Sequence, residues 1–290
     1  MLIPPLPLLN FFVAVVMFSI GLRVTGGQLI GILQNRALFV RVLVANCLFI
    51  PALGFLLVHI FPLKPDASIG ILLLAAIPGT PIALQFNRKA TTRLAFAAAM
   101  TFILSVVSLA IAPLMIEVMP QIVERSQRPI LRLFTDIALY IGLPLWAGRW
   151  TARRAPKLAP RFVTVLEIIA SIAFLTLMFE TRIVRQEALN AIKGGGAILA
   201  MGILLLASMT IGWFIGGPDP DSRRVVATTT GMRSVIVVLY VARSCFPGTN
   251  VFMAPIAYLT MMVPTNLVFI TIYSFWRKRH PATADIEAAA

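Results

Sequence analysis

Charge is scarce in this chain, and negative charge scarcer still. Of 290 residues only 12% are charged and just 11 are Asp or Glu, whereas an ordinary soluble domain carries roughly a quarter charged residues. A water-facing globular exterior is excluded. Cysteine is nearly absent: Cys47 and Cys245 lie in apolar stretches far from any Cys or His partner. That excludes a disulfide framework and a structural metal site, and leaves both for packing. No Ser/His/Asp set, metal-spaced His/Glu cluster or phosphate loop occurs, so neither an enzyme nor a cofactor is expected. The apolar runs do not alternate with period two, which excludes an outer-membrane barrel.

Apolar residues take the place of charge: they make up 59% of the chain, with a mean hydropathy of +0.91. Uncharged runs such as Leu2 to Leu22 and Leu94 to Ile116 exceed the roughly 20 residues needed to cross a bilayer. The expected fold is an all-α polytopic membrane protein of about nine spans, near 4–22, 38–61, 68–87, 94–116, 130–148, 162–180, 195–217, 225–244 and 251–276. The N-terminus has no Lys or Arg ahead of its apolar run and no small-x-small cleavage site. The first run is therefore expected to stay as a span rather than leave as a signal peptide.

The net charge of +14 does not call for nucleic acid once its placement is considered. With the N-terminus outside, Arg23, Arg36, Arg41, Arg88, Lys89, Arg93, Arg149, Arg153, Arg154, Lys157, Arg161, Arg223, Arg224, Arg277, Lys278 and Arg279 fall on the inner side. The outer side receives only Lys64, Arg125, Arg128, Arg132, Arg182, Arg185, Lys193 and Arg243. The positive-inside rule accounts for this bias and places the C-terminus in the cytoplasm. The expected location is a bacterial inner membrane. Trp146, Trp150, Tyr273 and Trp276 would form an inner aromatic belt. A polar stretch from Glu180 to Lys193, with Ile183, Ala188, Leu189 and Ile192 on one side, is expected as a short outer surface helix.

Two spans are interrupted. The third runs Leu72 to Ile77, then Pro78-Gly79-Thr80-Pro81, then Ile82 to Gln85; the eighth is broken by Thr228-Thr229-Thr230-Gly231-Met232-Arg233-Ser234. Pro78 and Pro81 each remove a backbone donor, and Gly79 adds freedom. Such breaks are tolerated at membrane depth only inside protein or beside a wet cavity. Lying five spans apart, the two helices run in opposite directions, as an inverted repeat with crossed half-helices requires. Residues 1–128 would form a first repeat of four spans with its opening helix absent, 129–280 a second of five, and 281–290 a disordered cytoplasmic tail. The helix after the first break offers free N–H groups to an anion.

Arg233 stands in the core, where an arginine costs about 2.5–3.5 kcal/mol on insertion scales and usually serves function. It would contact substrate, or pair with Asp136 or Glu167, the two acidic residues inside spans. Asp136 is the better candidate for proton coupling. Glu167 and His59 read as interfacial.

Taken together, these features resemble the bile acid:sodium symporter family over essentially the whole chain. Met17-Phe18-Ser19-Ile20-Gly21-Leu22, Pro78-Gly79, Gly231-Met232-Arg233-Ser234 and Asn266 carry the resemblance. It implies ten spans with the first missing here, a panel-type half within the first repeat, and crossed broken helices. In sodium-coupled members, oxygen ligands between those helices hold two ions. At the corresponding positions this chain has Ala83 and Leu84 for a Ser-Asn pair, and Ala97 for a Ser, while Thr101 is kept. Thr229 replaces a shared Glu, Arg233 a Gln, and Asn46 another Gln. Most sodium ligands are gone.

The expectation is a secondary transporter of a small organic anion by alternating access, without sodium at the family sites. Thr80, Gln85, Thr229, Arg233, Ser234 and Asn266 would bind substrate, and Asn46 and Thr101 would line the cavity or a residual ion site. Partners are the anion and the lipid bilayer, with no nucleic acid; the sequence leaves the oligomeric state open. An exporter of metalloid or inorganic oxyanions on a related fold, or a transport-dead membrane sensor or scaffold, are the alternatives.

Overall fold

The computed structural model describes residues 6–24, 35–79, 94–118, 138–156, 161–173 and 196–279, with isolated positions 27, 32, 83, 135, 159 and 176. Every regular element among them is helical. In chain order they are α1 (Leu6–Arg23), α2 (Arg36–Ile60), α3 (Pro65–Ala76), α4 (Leu94–Val118), α5 (Ala138–Gly142 continuing as Leu143–Arg154), α6 (161–173), α7 (Ala197–Ile215), α8 (Pro220–Gly231), α9 (Val235–Cys245) and α10 (Met253–Arg279).

Among the described residues three helices, not nine, are long and apolar enough on their own to cross a membrane, α2, α7 and α10, while α1 and α4 contribute only the shorter apolar segments Asn10–Arg23 and Phe96–Ser108. The three correspond to the spans expected at 38–61, 195–217 and 251–276. The span expected at 225–244 is divided into α8 and α9. The one expected at 68–87 is represented by α3 up to its break. The spans expected at 130–148 and 162–180 run partly outside the described residues, as do the Glu180 to Lys193 helix and the 281–290 tail wholly.

The burial pattern sorts the helices into two kinds. The long ones carry bare apolar side chains, with Leu48 60%, Phe214 77% and Phe275 62% exposed. Faces of this kind are stable against lipid and not against water. This is an integral membrane protein. By contrast, α3 is apolar on all sides and buried along its last turns, and α8 is buried from Val225 to Gly231. A helix apolar all round belongs in the interior, and the broken helices occupy it.

α3 and α8 share more than burial. Each has 12 residues, opens with Pro in its first turn followed by Asp, and ends in an extended residue. Those residues are Ile77 (φ −100°, ψ 99°) and Met232 (φ −82°, ψ 95°). Proline fits the first turn because its missing N–H would have no helical partner there, and an acidic side chain suits the positive helix end. In α8, the Asp219 cap also accepts a hydrogen bond from the Ser222 N–H at 2.8 Å.

Two π turns have a common cause. Ala45–Phe49 in α2 and Ala138–Gly142 in α5 are each followed by a proline, Pro51 and Pro144, in the first turn of the next segment. Proline cannot donate to the carbonyl four residues back, so the ladder locally takes wider spacing. The first π turn carries Asn46.

α1 and α5 cross with their backbones in contact. A Cβ on Gly148 would lie 2.2 Å from the Phe18 carbonyl oxygen, and one on Gly21 would lie 2.2 Å from that of Leu145. Small residues permit such approach in membrane helices, and backbone atoms cannot swing aside. Gly148→Ala is expected to destabilise the protein by about 1–3 kcal/mol, the usual cost of overpacking. Thermal melting of the purified variant measures it; an unchanged midpoint would mean that the two helices part freely.

Candidate functional site

The site is built where the two breaks meet. α3 ends because Pro78 has no N–H to offer the Leu74 carbonyl, and Gly79, at φ 74°, turns the chain so that its N–H leaves the Ala75 carbonyl. A side chain at Gly79 would suffer both from that backbone and from Leu104 of α4, whose Cβ would lie 2.8 Å from it. The last intrahelical bond of α3 runs from the Ile77 N–H to the Leu73 carbonyl at 3.1 Å. Leu74 and Ala75 are thus left with buried carbonyls that need donors.

Arg233 supplies them. It stands in the gap between α8 and α9 with no exposed surface. Its Nε donates to the Leu74 carbonyl at 2.8 Å, one terminal nitrogen donates to Asn46 Oδ1 at 2.8 Å, and the other donates to the Ala75 carbonyl. Beside it the Ser234 N–H reaches the Ile77 carbonyl at 3.4 Å. The second break is fastened to the first.

Asn46 completes the joint. Its amide nitrogen donates to the Val42 carbonyl at 3.0 Å and to Thr230 Oγ1 at 3.3 Å, so one side chain ties α2 to both α8 and Arg233. At the end of α8 the Tyr258 hydroxyl donates to the Gly231 carbonyl at 2.9 Å. Arg233 does not pair with Glu167, which instead forms an ion pair with Arg23. Among the described residues no carboxylate faces Arg233; its partners are neutral oxygens. Three charge-assisted bonds, at about 1.5–3 kcal/mol each, more than offset the about 2.5–3.5 kcal/mol of insertion cost. The positive charge remains, buried and without a counter-ion among the described residues.

The other expected residues divide three ways. Ser234 and Asn46 join Arg233 at the crossing. Thr229 is buried but donates to the Val225 and Val226 carbonyls of its own helix at 2.8 and 3.1 Å. Thr101 likewise bonds back to Ala97 at 2.8 Å, and the Asn266 amide nitrogen to Met262 at 2.9 Å. Thr80, Gln85 and Asp136 lie outside the described residues. The hydroxyls of Thr228 and Ser234 and the Asn266 Oδ1 are buried with no hydrogen-bond partner among the described residues. Such groups are usually satisfied by water or a ligand.

Sequence reasoning missed Thr230, Tyr258 and the two carbonyls, and it misplaced a second polar cluster. Arg223 and Arg224 were expected in an inner loop, yet both lie in α8, and Arg224 is fully buried with its guanidinium 5.2 Å from the Tyr273 ring centre. Tyr273 is not a belt residue: it is buried and donates to Asp221 Oδ1 at 2.8 Å. Arg277 closes on the same carboxylate at 2.6 and 2.7 Å. The signal available was the spacing Tyr273-x-x-x-Arg277, one helical face aimed at one acid.

A family model described as Sodium Bile acid symporter family matches residues 10–192, more than half of the chain. The chain belongs to the Sodium Bile acid symporter family. Its members are transporters rather than catalysts, so a membrane setting and a small-molecule cargo follow from membership. No curated protein matches the chain. Within this family the matched residues take in Asn46, the break after α3 and Thr101. They end before α7, so the second break and Arg233 lie in the unmatched remainder.

Proposed function

We propose that this symporter-family protein carries a small organic anion by alternating access, without sodium at the family's ion positions. The observation that carries the reading is the Arg233 guanidinium, set on the carbonyls of Leu74 and Ala75 and on Asn46. Carbonyl and amide oxygens converging from a broken helix are the ligands a hard cation takes in such folds. Arg233 fills that role with a charge that cannot dissociate. Having no acidic partner among the described residues, it lends the crossing a fixed positive potential, which suits an anionic cargo.

The substrate is assigned to Arg233, Ser234, Thr229 and Asn266, with Thr80 and Gln85 from the other break; Asn46 and Thr101 line the cavity. The inverted repeat, with its boundary at 128/129, is supported by the matching lengths and openings of α3 and α8. The nine-span count and the bacterial inner-membrane orientation, N-terminus outside, rest on the apolar runs and the arginine bias.

The test is uptake into proteoliposomes. A panel of organic acids is offered in sodium and in choline buffers with the membrane potential clamped at zero. The expected result is uptake of at least one acid at equal rates in both buffers. Uptake that requires sodium under the clamp would overturn the reading, and binding without flux would favour a sensor or scaffold.

A further inference from the structure

A cavity of about 450 Å³ lies between the end of α1, the end of α5 and α6, away from the crossing. Its polar wall is Arg23, Arg149, Thr164 and Glu167, and the rest is apolar, including Ala152 and Val163. Arg23 and Glu167 form an ion pair, each side chain only 13% exposed. They cancel each other's charge and fix one wall of the cleft. Among the described lining residues Arg149 is left as the cation without a carboxylate, and its Nε is buried with no hydrogen-bond partner among them. The backbone that carries Arg149 is held in place: Gly148, the residue before it, is pressed on the α1 backbone, and Gly21, near Arg23, on that of α5.

The height of the cleft is marked by its neighbours on α5. Trp146 and Trp150 are 62% and 50% exposed and stacked with ring centres 6.4 Å apart. The Arg154 guanidinium lies 5.5 Å from the Trp150 ring centre. Exposed Trp beside Arg marks the membrane–water boundary. A buried guanidinium donor at that level, in a cleft with apolar walls, suits an amphiphile whose anionic head sits at the interface and whose chains enter the hydrocarbon.

We propose that this cleft binds the phosphate of an anionic phospholipid from the surrounding leaflet, with Arg149 donating to a phosphate oxygen. Glu167 faces the same space, and its pairing with Arg23 keeps its charge from repelling the phosphate. The apolar part of the wall favours a lipid over free phosphate, which would gain nothing from it. Bound there, the lipid would brace the α1–α5 contact against α6.

The purified protein in detergent tests this with phosphatidylglycerol, phosphatidylcholine and inorganic phosphate as probes. Thermal melting and native mass spectrometry are the readouts. Phosphatidylglycerol is expected to raise the melting temperature of the unaltered protein and of Arg279→Gln, an exposed arginine outside the cleft. Arg149→Gln is expected to weaken that response about fivefold, the worth of one arginine at a lipid surface. Phosphatidylcholine and inorganic phosphate should have no effect. A full phosphatidylglycerol response in Arg149→Gln would overturn the proposal, and an equal response to inorganic phosphate would overturn the lipid as its source. Should Arg149→Gln not fold, competition on the unaltered protein decides: no preference for phosphatidylglycerol over phosphatidylcholine in the mass spectra sinks the idea.

Discussion

Arg233→Ala is expected to abolish uptake and lower the melting temperature together. Removing the guanidinium leaves the Leu74 and Ala75 carbonyls and Asn46 Oδ1 without their donor. Each buried acceptor left unsatisfied costs about 1–3 kcal/mol. Against this stands relief from burying the charge, about 2.5–3.5 kcal/mol. The balance is a loss of a few kcal/mol, large beside the total stability of a folded domain. Arg233→Lys separates charge from geometry. One ammonium keeps the positive potential but lacks the planar fork that reaches two carbonyls and an amide at once. It should recover part of the uptake and little of the stability. Detergent-solubilised melting curves and proteoliposome uptake read the two effects separately. An unchanged melting temperature in Arg233→Ala would mean that these bonds carry no stability, and unchanged uptake would mean that its charge has no part in transport.

The first break was legible in the sequence because its cause is covalent. Pro78 cannot donate and Gly79 turns freely, so the end of α3 follows from two residues. The exceptional status of Arg233 was legible too, since a lone arginine in an apolar run needs an explanation wherever it points. Its partners were not legible. Two of the three are backbone carbonyls, which any residue possesses, so Leu74 and Ala75 carry no side-chain signature at all. Pairing with Glu167 was expected because it is one of the two acidic residues inside spans, yet that carboxylate found Arg23, because helix packing decides which charges meet. The same applies to Asp221, which Tyr273 and Arg277 reach from the far end of the chain. The kinship of α3 and α8 lay in plain view as Pro65-Asp66 and Pro220-Asp221. A dipeptide is too short to stand out until equal helix lengths and equal end geometries frame it.

If Arg233 stands in for a cation, a cation should be able to replace it. The double variant Thr229→Glu, Arg233→Gln is expected to become sodium-dependent in stability and uptake, while the parent protein stays indifferent to sodium. Without a cation, Glu at a position buried to 1% exposure would be an unpaired interior charge, costing several kcal/mol. Sodium would offset that cost, with the Leu74 and Ala75 carbonyls released from Arg233 and the new carboxylate as its oxygen ligands. At a hundred times its dissociation constant, a ligand bound only by the folded state adds about 2.7 kcal/mol. That amounts to a shift of several degrees in melting temperature for a chain of this size. The comparison is a sodium titration against choline, with the parent and each single variant alongside. Thr229→Glu alone should respond to neither salt, since Arg233 would pair with the new carboxylate. A double variant blind to sodium would show that these oxygens do not form a cation site, and the reading of Arg233 as a built-in ion would fall with it.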